Sequence, residues 1–203
     1  MFDPQSFWRD PEASINVDPV IVNICKPEFY LTLENVTRLV VNIIRKHCHY
    51  DDRILEIGSG TGRNLVGINN AGYYHVSGIE ISRKAIKAGE RYYGFGKLPI
   101  INEAVEDCIK DISPVDVIFT QGCLMHLPPT SEWVFDVISD KANKMIITIE
   151  NEIGTSARAW PRNYNDIFQP LGWTCIEHFT CEKYPPLPVA TILRVFTRKV
   201  VAQ

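Results

Sequence analysis

Gly58-Ser59-Gly60-Thr61-Gly62 interrupts the apolar run Arg53-Ile54-Leu55-Glu56-Ile57 and is the stretch of this sequence best suited to holding a ligand. Glycine admits unusual backbone dihedrals and lets a ligand approach with no Cβ in the way. Two acids accompany the loop. Glu56 lies on the run before it, and Glu80 ends the next run, Val76-Ser77-Gly78-Ile79-Glu80-Ile81, 18 residues beyond Gly62 (62 to 80). A ribose-binding acid is expected near that distance, because a carboxylate can accept two hydrogen bonds from a vicinal diol. The competing explanation for Glu80 is an acid favoured by the dipole of the helix that follows. Spacing sorts the nucleotide ligands. A dinucleotide fingerprint would need a third glycine at position 63, which is Arg63, and a P-loop would need Gly-Lys-Ser/Thr, which is absent. The pattern Gly-x-Gly-x-Gly with two acids suits a nucleoside that carries no phosphates.

The elements that must position these residues can be read from hydrophobic period. Leu33, Val36, Leu39, Val40, Ile43 and Ile44 predict a helix over about 29–48. Strands are expected at 53–57, 76–81, 98–101, 116–120 and 145–150. Helices are expected at 64–70, closed by Ala71-Gly72, and from a Ser82 cap to Tyr93. Two more are expected over 132–141 and 163–171. Two last strands, 173–179 and 191–200, have no helix between them and should pair antiparallel at one edge. Alternating strands and helices imply a doubly wound, Rossmann-like α/β sheet, mostly parallel, with an N-terminal helical extension. Residues 1–27 show no sustained period and read as an irregular arm pinned by Phe7, Trp8 and Ile15. The whole chain, 1–203, reads as one domain, with arm and helix over 1–48 and the core over 49–203.

With 203 residues, 45% hydrophobic and 22% charged, the chain has the balance of an ordinary globular protein. A net charge of −3 argues against a dedicated nucleic-acid binder. The six cysteines, Cys25, Cys48, Cys108, Cys123, Cys175 and Cys181, form no Cys-x-x-Cys pair and read as reduced thiols of a cytoplasmic protein. His47 and His49 flank Cys48 without a distant partner, so no metal is expected. No apolar run reaches the roughly 20 residues of a membrane span, and the N-terminal residues do not have the pattern of a secretory signal.

Ile54-Leu55-Glu56-Ile57-Gly58-Ser59-Gly60-Thr61-Gly62 resembles the first motif of the class I S-adenosylmethionine-dependent methyltransferases, and Gly78-Ile79-Glu80-Ile81-Ser82 resembles their second. Asn102-Glu103-Ala104-Val105-Glu106-Asp107 is similar to the third, and residues 116–129 to the fourth strand and its loop. The resemblance spans roughly 53–150. It implies S-adenosylmethionine as cofactor, with Gly58, Ser59, Gly60 and Gly62 as the loop around its methionine part, Glu56 anchoring that end and Glu80, beside Ile81, on the ribose. It further implies Glu103 and Ala104 at the adenine, with Glu standing where Asp is commoner.

Methyl transfer from a sulfonium is an in-line displacement, so positioning supplies much of the acceleration. His126 is the candidate general base where the acceptor is a poor nucleophile, against the plainer reading of a histidine holding the Pro128-Pro129 turn. Gln121, ending the fourth strand, would orient the acceptor or the methionine carboxylate. Glu150, Glu152, Arg158, Trp160 and Arg162 are expected on the same rim, as partners of a polar small molecule or as an ordinary solvated loop. Thr120-Gln121-Gly122-Cys123 is unlike the proline-aromatic signature of DNA base methylases. Thr120 through Leu127 is weakly similar to small methylases associated with bacterial sialic-acid-like (pseudaminic acid) sugar pathways, which suggests a sugar hydroxyl or amine as acceptor. Two alternatives stay open at this point: an NAD-dependent oxidoreductase, for which Tyr92, Tyr93 and Lys97 stand in an unsuitable place, and an S-adenosylmethionine-binding protein without turnover.

Overall fold

The computed structural model describes residues 3–11, 26–94, 98–153 and 158–198. In chain order the elements are α1 (Pro4–Arg9), α2 (Pro27–Leu31), α3 (Glu34–His47), β1 (Ile54–Ile57), α4 (Arg63–Asn70), β2 (Val76–Ile79), α5 (Arg83–Tyr93), β3 (Ile100–Ile101), α6 (Val105–Cys108), β4 (Val115–Gln121), α7 (Trp133–Lys141), β5 (Ala142–Asn151), α8 (Tyr164–Phe168), β6 (Trp173–Thr180) and β7 (Thr191–Arg198). Short 3₁₀ turns at Leu124–His126 and Pro129–Ser131 lie between β4 and α7.

The seven strands form one sheet in the order β3-β2-β1-β4-β5-β7-β6. The first five run parallel, and β7 enters antiparallel between β5 and β6. The antiparallel pair is therefore at one edge, as the missing helix between the last two strands implied. A dinucleotide-binding sheet ends 4-5-6; the inserted β7 sets this sheet apart. Side chains alternate between the two faces. Leu55, Ile118 and Ile146 enter one core with Phe135, Ile138, Phe168, Trp173 and Phe196. Ile54, Phe119 and Ile147 enter the other with Leu39, Ile43, Leu65 and Ile68.

Several local expectations change. The helix expected over 29–48 is two helices, broken at Thr32-Leu33. Distant side chains mark the break: the Tyr93 hydroxyl donates to the Leu31 carbonyl, and the Arg63 guanidinium donates to the Leu33 carbonyl, which also accepts from the Thr37 N–H as α3 begins. The arm is not wholly irregular, since Asp3 caps α1 by accepting from the Gln5 N–H at 3.1 Å and Pro4 opens its first turn. Phe7 is buried as expected, while Ile15, Cys25 and Lys97 lie outside the described residues. The short helix α6 carries too few residues to show a period. Ser82 does cap α5, accepting from the Ala85 N–H at 3.3 Å.

Trp173 ties the antiparallel pair to the parallel part. It is fully buried, its indole N–H donates to Ser139 Oγ at 2.9 Å, and the Arg198 guanidinium lies 4.8 Å from its ring centre. Trp173→Ala should cost about 3–5 kcal/mol in urea denaturation, still in one cooperative transition. A loss below about 1 kcal/mol would mean that β6 and β7 do not share the core.

Candidate active site

The register sets Ile57 of β1 beside Ile79 of β2 and Thr120 of β4, so these three strands end together. Beyond those ends lies a half-open cavity of about 220 Å³. Its lining includes Glu56, Gly58, Ser59, Gly60, Glu80, Ile81, Glu103, Ala104, Gln121 and His126, so nearly all the residues singled out from the sequence meet at one place. Gly62 does not line it. It takes a left-handed φ of 71° and starts α4.

Glu80 is 8% exposed, and both its oxygens are seated by backbone. Oε2 accepts from the Gly60 N–H at 2.7 Å, and Oε1 from the Ser82 N–H at 2.7 Å. Asn102 steadies the same corner by donating to the Glu80 and Ile81 carbonyls. Burial pushes the Glu80 carboxyl above its usual range, and the two N–H bonds oppose that shift. Gly60 can deliver its N–H because it sits at φ 55°, and a Cβ there would meet open space. Gly58 is needed for another reason: a Cβ would lie 2.5 Å from Cys123 Sγ.

Glu56 is 1% exposed. Its Oε1 accepts from the Asn64 amide at 2.7 Å, and Oε2 is buried without a partner among the described residues. Desolvation raises its pKa to about 8, opposed by the Asn64 hydrogen bond and the field of Arg63. The Asn64 amide also reaches Gln121 Oε1 at 3.0 Å, as does Arg63 Nη2 at 3.1 Å. Arg63 is 8% exposed, lines the cavity, and no carboxylate among the described residues pairs with it. Sequence reasoning missed Arg63 and Asn64. Both follow the glycine loop directly, at the start of a helix whose first turn must face the same space, and that position was the available signal.

The loop after β4 is held from behind. Glu150, fully buried in β5, accepts from Thr120 Oγ1 at 2.8 Å and from the Cys123, Leu124 and Met125 N–H groups at 3.0–3.3 Å. Its pKa rises to about 6 through burial, moderated by those bonds. Arg162 donates to the Leu124, Leu127 and Trp160 carbonyls and pairs with Glu132 at 2.7 Å. Glu152 pairs with Arg194 at 2.7 Å. These residues were expected on the cavity rim; instead each finds its partner within the protein, Glu150 and Arg162 bracing the loop after β4 and Glu152 tying the chain after β5 to β7. The His126 Nδ1–H donates to the Arg158 carbonyl at 2.7 Å, and burial lowers its pKa. The ring is thus neutral, with its lone pair on Nε2.

The arm closes one side. Pro4, Gln5, Trp8 and Pro11 line the cavity with Pro27 and Tyr30 of α2. The Trp8 ring lies 4.4 Å from that of His126, and its buried N–H has no partner among the described residues. Asp10 pairs with Lys84 at 2.7 Å and Arg9 with Asp107 at 3.4 Å. Away from the cavity, His47 Nε2 lies 2.6 Å from Glu177, which also pairs with Lys46.

A family pattern described as a methyltransferase domain matches residues 54–140, from β1 to α7. Residues 54–140 are a methyltransferase domain. No curated protein sequence matches the chain. Among solved structures it is similar to magnesium protoporphyrin IX methyltransferase from Synechocystis PCC 6803 with bound S-adenosylmethionine, at 15% identity and TM-score 0.66 over 98% of each chain. It is also similar to 1,6-didemethyltoxoflavin-N1-methyltransferase from Burkholderia thailandensis, at 13% identity and TM-score 0.68 over 98% of this chain and 91% of that one. A putative RNA methyltransferase from Pyrococcus horikoshii matches at 16% and 0.60, over 81% of this chain and 83% of the other.

S-Adenosylmethionine is the cofactor that the sequence resemblance implies, and the cavity suits it. Glu56 Oε2 and Ser59 Oγ are buried without partners among the described residues, and the loop at Gly60 leaves space open. The methyltransferase-domain match over 54–140 speaks against the oxidoreductase alternative. No helix among the described residues is long and apolar enough to cross a membrane.

Glu150→Ala should cost about 3 kcal/mol, since it strands several buried N–H groups at once. Hydrogen exchange at Cys123, Leu124 and Met125 should quicken at least tenfold. Unchanged protection there would mean that the loop is held by other means.

Proposed function

We propose that this methyltransferase, its arm over 1–48 and its catalytic core over 49–203, transfers a methyl group to a hydroxyl or amine of a small neutral molecule. The observation that carries this reading is the roof. Trp8 packs on His126 inside a wall of Pro4, Pro11, Pro27 and Tyr30, which favours a compact acceptor over a polymer. Both cations of the lining are engaged, Lys84 with Asp10 and Arg63 with Gln121 and Leu33. That disfavours nucleic acid, as does the net charge of −3. The porphyrin and toxoflavin methyltransferases named above act on small molecules, which is consistent. A sugar hydroxyl is one acceptor of this class, and aromatic walls accommodate a sugar ring as well as a planar one.

S-Adenosylmethionine supplies an electrophilic methyl on its sulfonium. In this reading Glu80 takes the ribose hydroxyls, while Ile81, Glu103 and Ala104 flank the adenine. Glu56, Asn64, Arg63 and the Gly58–Gly60 segment hold the amino-acid end. That pairing is complementary in charge, a buried cation and a buried acid for a zwitterion. Gln121, its oxygen committed to Arg63 and Asn64, presents its amide N–H groups as an orienting donor. His126 Nε2 accepts the acceptor's proton.

A panel of small hydroxyl and amine compounds, with RNA and DNA, should be incubated with methyl-labelled cofactor. Label is expected in at least one small neutral compound. Label in nucleic acid alone would overturn the reading. With that acceptor, His126→Asn should lower kcat by about 10²–10⁴ and leave cofactor affinity within about twofold. A parallel loss of cofactor affinity would make His126 structural. Glu80→Ala should weaken S-adenosylhomocysteine binding at least tenfold, about 1.4 kcal/mol.

A further inference from the structure

Glu56 is an acid without a counter-charge. It is 1% exposed, and no lysine, arginine or histidine nitrogen among the described residues reaches ion-pair distance. The groups facing it are Arg63 from α4, whose guanidinium is turned to the Leu33 carbonyl and Gln121 Oε1, Glu80 from the end of β2, and Cys123 from the loop after β4. One of these is a second carboxylate, and the Cys123 thiol is held neutral by burial. Among the described residues Glu56 has a single hydrogen-bond donor, Asn64, and its other oxygen has none. Burying an ionised carboxylate on those terms is costly enough that the group stays neutral instead.

We propose that Glu56 carries a proton in the empty enzyme and must surrender it for the cofactor's amino-acid end to bind, so that cofactor binding is coupled to proton release and weakens in acid. This rests on the cofactor placement proposed above. The step is a simple exchange. The O–H bond of the Glu56 carboxyl breaks, its proton passes to buffer, and the carboxylate left behind receives the α-ammonium. No electrons move between partners and no covalent bond to the cofactor forms. The direction of the pH effect follows. An acid whose pKa in the empty protein is near 8, and falls on gaining a cationic partner, binds that partner more tightly as pH rises towards 8 and no more tightly above it.

The probe is S-adenosylhomocysteine, which has the same amino-acid end and is chemically inert. Titrating it calorimetrically at pH 7 in phosphate, MOPS and imidazole buffers counts protons from the dependence of apparent enthalpy on buffer ionisation enthalpy. Wild type should release about one proton per ligand bound. Glu56→Gln, which keeps the shape and can still accept from Asn64, should release about one proton fewer than wild type, because any protonation change at Glu80 is common to both proteins. Zero release by the wild type, or equal release by both proteins, overturns the proposal and leaves the cofactor placement standing. If neither protein binds at any pH, the cofactor placement itself fails. Should Glu56→Gln not fold, the wild type alone decides the matter. Its affinity should rise about tenfold between pH 6 and 7 and level off above about 8. A flat profile overturns the proposal.

Discussion

The carboxylate of Glu80 is bonded by N–H groups from two segments, and so adds to the bonds from Gly58 and Ser59 to the Ile79 carbonyl that already hold the turn after β1 against the end of β2. Gly60 belongs to the turn leaving β1, and Ser82 starts α5. A carboxylate this deeply buried has to be satisfied, so the turn and the helix are drawn to one point. Once they are there, the positive φ at Gly60, the cap at Ser82 and the bonds from Asn102 follow from the same requirement. The cavity is what remains between these fixed pieces. Its shape depends on the seat of Glu80 on one side and on the loop that Glu150 holds on the other.

Three buried acids occur at the carboxyl ends of three strands, and their surroundings divide the work. Glu80, directly after β2, has two backbone donors and is held in place. Glu150 on β5 has four donors, three of them backbone N–H groups of one loop, and is used up in holding that loop. Glu56 on β1 has one donor and an idle oxygen. By donor count Glu150 is the most fully satisfied, and its pKa is near 6, while that of Glu56 is near 8. The least satisfied acid is the one with capacity left for a ligand.

Much of this was legible in the sequence for physical reasons. The glycine loop and Glu80 are local: their meaning depends on spacing within about 25 residues and on what glycine permits. Strands β1, β4 and β5 are runs of β-branched residues buried on both faces, which read clearly. Partnership across the fold did not read. Glu150, Glu152 and Arg162 looked like polar rim residues because nothing local says that their partners are Cys123–Met125, Arg194 and the Leu127 carbonyl. Arg63 looked only like a missing glycine, since its value comes from burial beside Gln121, 58 residues away. The break between α2 and α3 is marked by side chains from α4 and α5, which no period could reveal.

The central claim is that the seat of Glu80 is the ribose site of a methyltransferase cofactor. A crystal structure with S-adenosylhomocysteine tests it most directly. The account expects both ribose hydroxyls within hydrogen-bond distance, about 2.6–3.2 Å, of the Glu80 carboxylate, with the bonds from Gly60 and Ser82 intact. A ligand bound elsewhere, or one whose ribose does not touch Glu80, would contradict it.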